Sequence, residues 1–174
     1  MSKFPNKTTS ELRQYFQQQS LEKLQEIRRS YDPHFISIKN SIERITGTLE
    51  TLTEKQNNLL SEQEDLSNYY PKAEAAEKEY KNTLEAIMSD SNGAERYLAL
   101  QALGMSPLNS YHQKSLSLDN EIHRITQEIE RLNSQISSLN TKKSWAFTEL
   151  RILNSIIEEK KKEYTNDSQL VHNM

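Results

Sequence analysis

From Leu118 to Ile157, apolar residues recur at alternating steps of four and three: Leu118, Ile122, Ile125, Ile129, Leu132, Ile136 and Leu139, then Ala146, Leu150, Leu153 and Ile157. Lys143 is the one interruption. Extended outward the seam runs from Tyr111 to Tyr164, and its other polar members are Ser115 and Lys160. A second seam of the same period starts at Phe35 and passes through Ile38, Ile42, Ile45, Leu49, Leu52, Leu59, Leu66, Tyr70, Ala73, Tyr80, Leu84 and Ile87. Its exceptions are Gln56, Gln63 and Glu77, so thirteen of sixteen positions in each seam are apolar where composition alone would supply about five. A spacing that averages 3.5 over this length predicts coiled-coil helices rather than ordinary surface helices.

Local signals divide the chain. Residues 1–32 form an N-terminal segment: residues 1–8 read as disordered, then Thr8 and Glu11 make a capping box. That box opens a short amphipathic helix carrying Leu12, Tyr15, Phe16, Leu21, Leu24, Ile27 and Tyr31. Asp32-Pro33 predicts a bend, because proline disfavours helical dihedrals at the residue before it. Residues 33–88 form a first coiled-coil arm with a kink expected near Tyr70-Pro71. Residues 89–107 form a turn containing a short helix, started by Asn92 with Glu95 and closed by Gly104. Ser106-Pro107 begins the second arm, residues 108–164, as an N-cap followed by proline at the first helical position. The tail, residues 165–174, carries no pattern and reads as disordered.

Two equal seams joined by a short connector predict an all-α fold: an elongated antiparallel coiled-coil hairpin with arms on the order of 80 Å. Placing Ile87 beside Tyr111 makes facing residue numbers sum to about 198, which sets Gln56 level with Lys142 and beside the seam residue Lys143. Trp145, Ile152 and Ile156 form a second stripe next to the seam of the second arm. If the chain folds back at Pro33, Leu24 comes near Ile42 and Phe16 near Glu50, giving a three-helix base. Either the first thirty residues cover the stripe or a partner protein does.

Composition narrows the chemistry. Three glycines, four prolines, 27% charged residues and a mean hydropathy of −0.88 suit a narrow helical core rather than a round one. The chain has no cysteine, so it holds no disulfide, thiolate nucleophile or cysteine-bound zinc, in keeping with an intracellular, cytoplasmic or nuclear location. No polar-flanked apolar stretch reads as a signal peptide or a membrane span, so a soluble protein is expected. Residues 1–31 carry six Lys/Arg against three Glu, a modest basic segment able to approach an acidic partner. There is no dense basic stripe, which disfavours nucleic acid.

His34, His112, His123 and His172 have no metal-ligand spacing, and the carboxylates lie mostly on solvated helix faces. No phosphate-cradling or nucleophile-elbow glycine motif occurs. The expectation is therefore no catalytic residue, no cofactor, no metal and no small-molecule substrate. The turn carries more: Tyr97, Leu98, Leu100, Leu103, Met105, Leu108 and Tyr111 cluster there, either to plug the hairpin or to form a docking knob. Ser106 is also a minimal proline-directed phosphorylation site, although its capping role accounts for it.

Long hairpins of this kind resemble subunits of multiprotein assemblies, such as kinetochore or membrane-trafficking complexes, and secretion-stalk proteins. Architecture carries that resemblance, and no motif residue does. It implies a non-enzymatic scaffold subunit working through helix–helix contacts, in a hetero-complex or a homodimer. The alternative is a chaperone-like or adaptor hairpin that clamps a client at its tip or base.

Overall fold

A computed structural model describes residues 3–173; Met1, Ser2 and Met174, which belong to the two segments read as disordered, lie outside the described residues. Among those described, every regular element is an α-helix: α1 Thr9–Gln17, α2 Leu21–Arg29, α3 Tyr31–Met88, α4 Gly93–Leu103 and α5 Pro107–His172. The fold is all-α, and its two long helices form an antiparallel hairpin. They are divided between two compact units, Glu50–Glu130 and the combination of Met1–Leu49 with Arg131–Met174.

The caps read from the sequence are present. Thr8 Oγ1 accepts from the Glu11 amide at 3.2 Å while Glu11 accepts from the Thr8 amide at 2.8 Å. Asn92 Oδ1 accepts from the Ala94 and Glu95 amides, and Ser106 Oγ accepts from the Asn109 amide. Gly104 ends α4 at φ 69°, a left-handed conformation that a residue with a Cβ resists. Helix α3 continues through Pro71 without a break.

In Glu50–Glu130 the two long helices run antiparallel. Gln56 Nε2 donates to Thr126 Oγ1 at 2.9 Å, Gln63 Nε2 donates to Asp119 at 2.6 Å, and the Tyr70 and Tyr111 rings meet edge-to-face at 5.2 Å. Facing numbers thus sum to about 182, not 198. The partner of Gln56 is Thr126 rather than Lys142, a displacement of sixteen residues or about 24 Å of helix. The error came from starting the second arm beside the last turn of the first. Instead α5 begins next to Glu77 and Tyr80, whose side chains bond the Leu108 amide and the Gly104 carbonyl. The end of α3 runs past that point, and α4, about 16 Å of helix, brings the chain back.

In the other unit the N-terminal segment is two helices, not one. Ser20 has extended ψ (155°) and accepts from the Lys23 amide, so the chain turns there. At Ser30, by contrast, φ −71° and ψ −13° stay helical, and no fold-back occurs at Asp32-Pro33. Those two residues sit in the first turn of α3, where a proline lacks nothing because that amide has no intrahelical acceptor. The reversal at Ser20 sets α1 and α2 against α5. Leu12, Phe16, Leu24 and Tyr31 are buried with Ala146, Leu153, Ile156 and Ile157 in one cluster. Leu24 and Phe16 therefore lie with this part of α5, not beside Ile42 and Glu50. Each large side chain buried there contributes roughly 1.5–3 kcal/mol.

Residues 3–8 and 165–173 are more ordered than their composition implied. Residues 3–8 lie over the cluster, with the Phe4 ring 5.5 Å from both Tyr15 and Phe16. At the C-terminus α5 continues to His172 although residues 161–173 are all exposed. No glycine or proline follows Thr165, and adding a residue to a formed helix costs far less than starting one.

Candidate functional site

Three features stand out: a buried carboxylate, the stripe beside it, and the turn. Glu149, on α5, is 4% exposed. Its oxygens accept from the Tyr31 hydroxyl at 2.8 Å and from the Lys3 and Phe4 amides at 3.1 and 3.3 Å. Lys3 Nζ bonds Ser30 Oγ and lies 5.3 Å over the Tyr31 ring. A buried charge survives only when hydrogen-bonded, and these donors meet that need. Burial pushes the Tyr31 hydroxyl far above the ordinary tyrosine range, and the Glu149 carboxylate adds to the shift by accepting a hydrogen bond from it and by its charge. The node ties residues 3–4 to α3 and α5.

The stripe is divided. Ile156 is 1% exposed and belongs to the chain's own core, so it offers no surface to a partner. Ile152 is half-buried against the same cluster, while Trp145 remains 56% exposed. Between Trp145 and the N-terminal segment lies a pocket of about 330 Å³, walled by Phe4, Leu12, Trp145 and Ile152, with Lys7 and Lys142 among its lining residues. The N-terminal wall was hidden in the sequence because Phe4-Pro5 sits in a polar, patternless leader. The isolated apolar Phe4 was the only signal.

At the turn, α4 buries none of its residues. Tyr97 is 61% exposed, Leu98 64%, Met105 55% and Leu100 38%, with Leu103 half-buried. Met88, at the end of α3, adds a further exposed apolar side chain that the sequence reading did not include. Within α4 the half-buried apolar positions are Ala99 and Leu103, while Tyr97, Leu98 and Leu100 are exposed. The Ser106 oxygen is engaged as the cap of α5.

Comparison with family models, with curated proteins and with solved structures finds no match for this chain. Its residues alone must speak for it. Among the described residues no helix is long and apolar enough to cross a membrane, and no cluster of three His, Asp or Glu side chains is placed to hold a metal ion.

Five of the six polar exceptions in the two seams, all but Ser115, have a specific neighbour. Glu77 accepts from the Leu108 amide at 3.1 Å, at the positive N-terminal end of α5. Lys160 Nζ donates to the Gln19 carbonyl at 2.6 Å, just past α1. Lys143 Nζ lies 6.0 Å over the Phe147 ring, which itself stacks on Phe35 at 4.5 Å. Glu121 bonds both Lys55, at 3.1 Å, and Arg124, at 2.7 Å. Hydrogen bonds from these two cations, Arg124 first, hold its carboxyl at about 2.

Proposed function

We propose that the protein is a non-enzymatic coiled-coil scaffold, a structural subunit of a larger multiprotein assembly that holds its partners through helix–helix contacts. The observation that supports this most is the turn: α4 buries none of its own residues, and Tyr97, Leu98 and Met105 are each more than half exposed. Exposed apolar groups gathered on one element mark interaction sites. Assemblies built on hairpins of this architecture include chromosome-segregation and membrane-trafficking complexes, and an intracellular, cytoplasmic or nuclear setting suits a chain without cysteine. The turn also favours a second reading, an adaptor or chaperone-like hairpin that clamps a client there.

Affinity purification with quantitative cross-linking separates the two. A subunit recovers partners at fixed ratio with cross-links along α3 and α5, whereas a clamp recovers transient clients cross-linked only near residues 94–111. In either case Leu98→Asp with Tyr97→Asp abolishes the association and leaves helicity unchanged, because both side chains face solvent in the free chain. Partners that survive this double substitution refute the role of the turn.

A further inference from the structure

The pocket beside Trp145 lies in the unit of Met1–Leu49 and Arg131–Met174 and is independent of the turn residues. Its volume, about 330 Å³, sits at the small end of the range for ligand pockets, about 300–1,000 Å³, so one large apolar side chain suits it. The walls are Phe4, Leu12, Trp145 and Ile152. The charge they present is positive. The one carboxylate in the lining, Glu149, is 4% exposed and already holds three donors. Lys142 makes no hydrogen bond or ion pair among the described residues, and Lys7 lies 5.3 Å over the Tyr15 ring. Lys7 also lines a neighbouring depression with Glu11, Gln14 and Tyr15; Glu11 feels its charge, but the Glu11 carboxylate is engaged in the capping box and is absent from the walls of the Trp145 pocket. The excess of Lys/Arg over Glu in residues 1–31 has the same sign.

We infer that this pocket is a docking site for an acidic segment of a partner protein, which inserts one leucine or phenylalanine between Leu12 and Trp145 and sets carboxylates against Lys7 and Lys142. An apolar anchor supplies affinity, and the flanking charges select the partner and speed encounter. This goes beyond the scaffold reading and does not depend on it.

Trp145 is the only tryptophan, so its emission reports the site directly. The probes are acidic dodecapeptides with a single central leucine, phenylalanine or methionine, each paired with a copy whose acids are replaced by lysine. With the full chain, at least one acidic peptide produces a saturable blue shift of Trp145, and its lysine copy binds at least about tenfold more weakly. Lys7→Glu with Lys142→Glu reverses that preference while the helicity stays at the wild-type value. The inference is overturned if no acidic peptide shifts Trp145 up to millimolar concentration, or if acidic and basic copies bind equally. It is also overturned if the emission shifts with protein concentration alone and sedimentation gives a dimer, since the pocket's occupant is then a second copy. Loss of partners at the turn leaves all of these readouts unchanged, so the two readings fail separately.

Discussion

The buried pair of Tyr31 and Glu149 permits a quantitative test of what holds residues 3–8 in place. Tyr31→Phe deletes a 2.8 Å hydrogen bond to an ionised acceptor, while the carboxylate keeps the Lys3 and Phe4 amides. Bonds of that class contribute about 1.5–3 kcal/mol, and this is the expected loss. Glu149→Ala does more. The Tyr31 hydroxyl is left buried without its acceptor, at about 1–3 kcal/mol. The two amides lose their acceptor as well, so the segment lifts and surrenders the packing of Phe4, about 1.5–3 kcal/mol. The sum is about 2.5–6 kcal/mol.

The double substitution separates the bond from its surroundings. In the Glu149→Ala background, Tyr31→Phe should be neutral or stabilising, because it removes a hydroxyl that no longer has a partner. Urea unfolding followed by circular dichroism gives the energies, and amide exchange of Lys3 and Phe4 by NMR reads the local node. Exchange at both amides should rise in Glu149→Ala and stay slow in Tyr31→Phe. The same bond predicts an alkaline limit. The folded tyrosine is shifted above its ordinary 10.0, so its contribution is complete below that value and is lost as pH rises beyond it. Tyr31→Phe should flatten that part of the pH profile. Additivity of the two substitutions to within about 0.5 kcal/mol would refute the account.

Two further expectations concern the seams. Glu121 is held at about 2 against an ordinary 4.5, so its contribution is present above the ordinary value and is lost as pH falls from there toward 2. An NMR titration should give a midpoint near 2 for Glu121 that rises in Arg124→Ala, and an unchanged midpoint rejects the pairing. Lys160→Met keeps the side-chain stem but removes the 2.6 Å bond to the Gln19 carbonyl, with an expected loss of about 1.5–3 kcal/mol in urea unfolding. A loss below about 0.5 kcal/mol would mean that this carbonyl is hydrated in solution.

Much of the fold was legible because a coiled-coil seam is a local statement repeated many times. Every seam position from Phe35 to Ile87 is buried or half-buried except Tyr70, and from Tyr111 to Tyr164 all are except Tyr164 itself. The caps at Thr8, Asn92 and Ser106 were legible for the same reason, since a side-chain oxygen and an amide three residues away need no tertiary context. Register was not. The seam repeats every seven residues, so sliding one arm by whole heptads still buries apolar residues against apolar residues. Only the length of the overhang beyond the turn decides among these choices, and that depends on how α4 returns. The turn at Ser20 was missed because Gln17, Gln18 and Gln19 are acceptable in a helix and mask the N-cap that follows them.

The residues that interrupted the seams carry the register information that the apolar residues lack. Gln56 meets Thr126 and Gln63 meets Asp119, and neither bond survives a slide by one heptad. A displaced hairpin would keep its apolar contacts and leave these groups without partners, so the polar layers select one alignment by penalising the others. Glu77 and Lys160 work at junctions rather than layers. The first meets the N-terminal amides of α5 with negative charge, and the second meets the carbonyl just past α1 with positive charge, each the favourable sign for its helix end. Five of the six exceptions therefore have specific partners in the structure: Gln56, Gln63, Glu77, Lys143 and Lys160. The apolar seam makes a helical pair; its flaws determine which pair, and where the shorter helices join it.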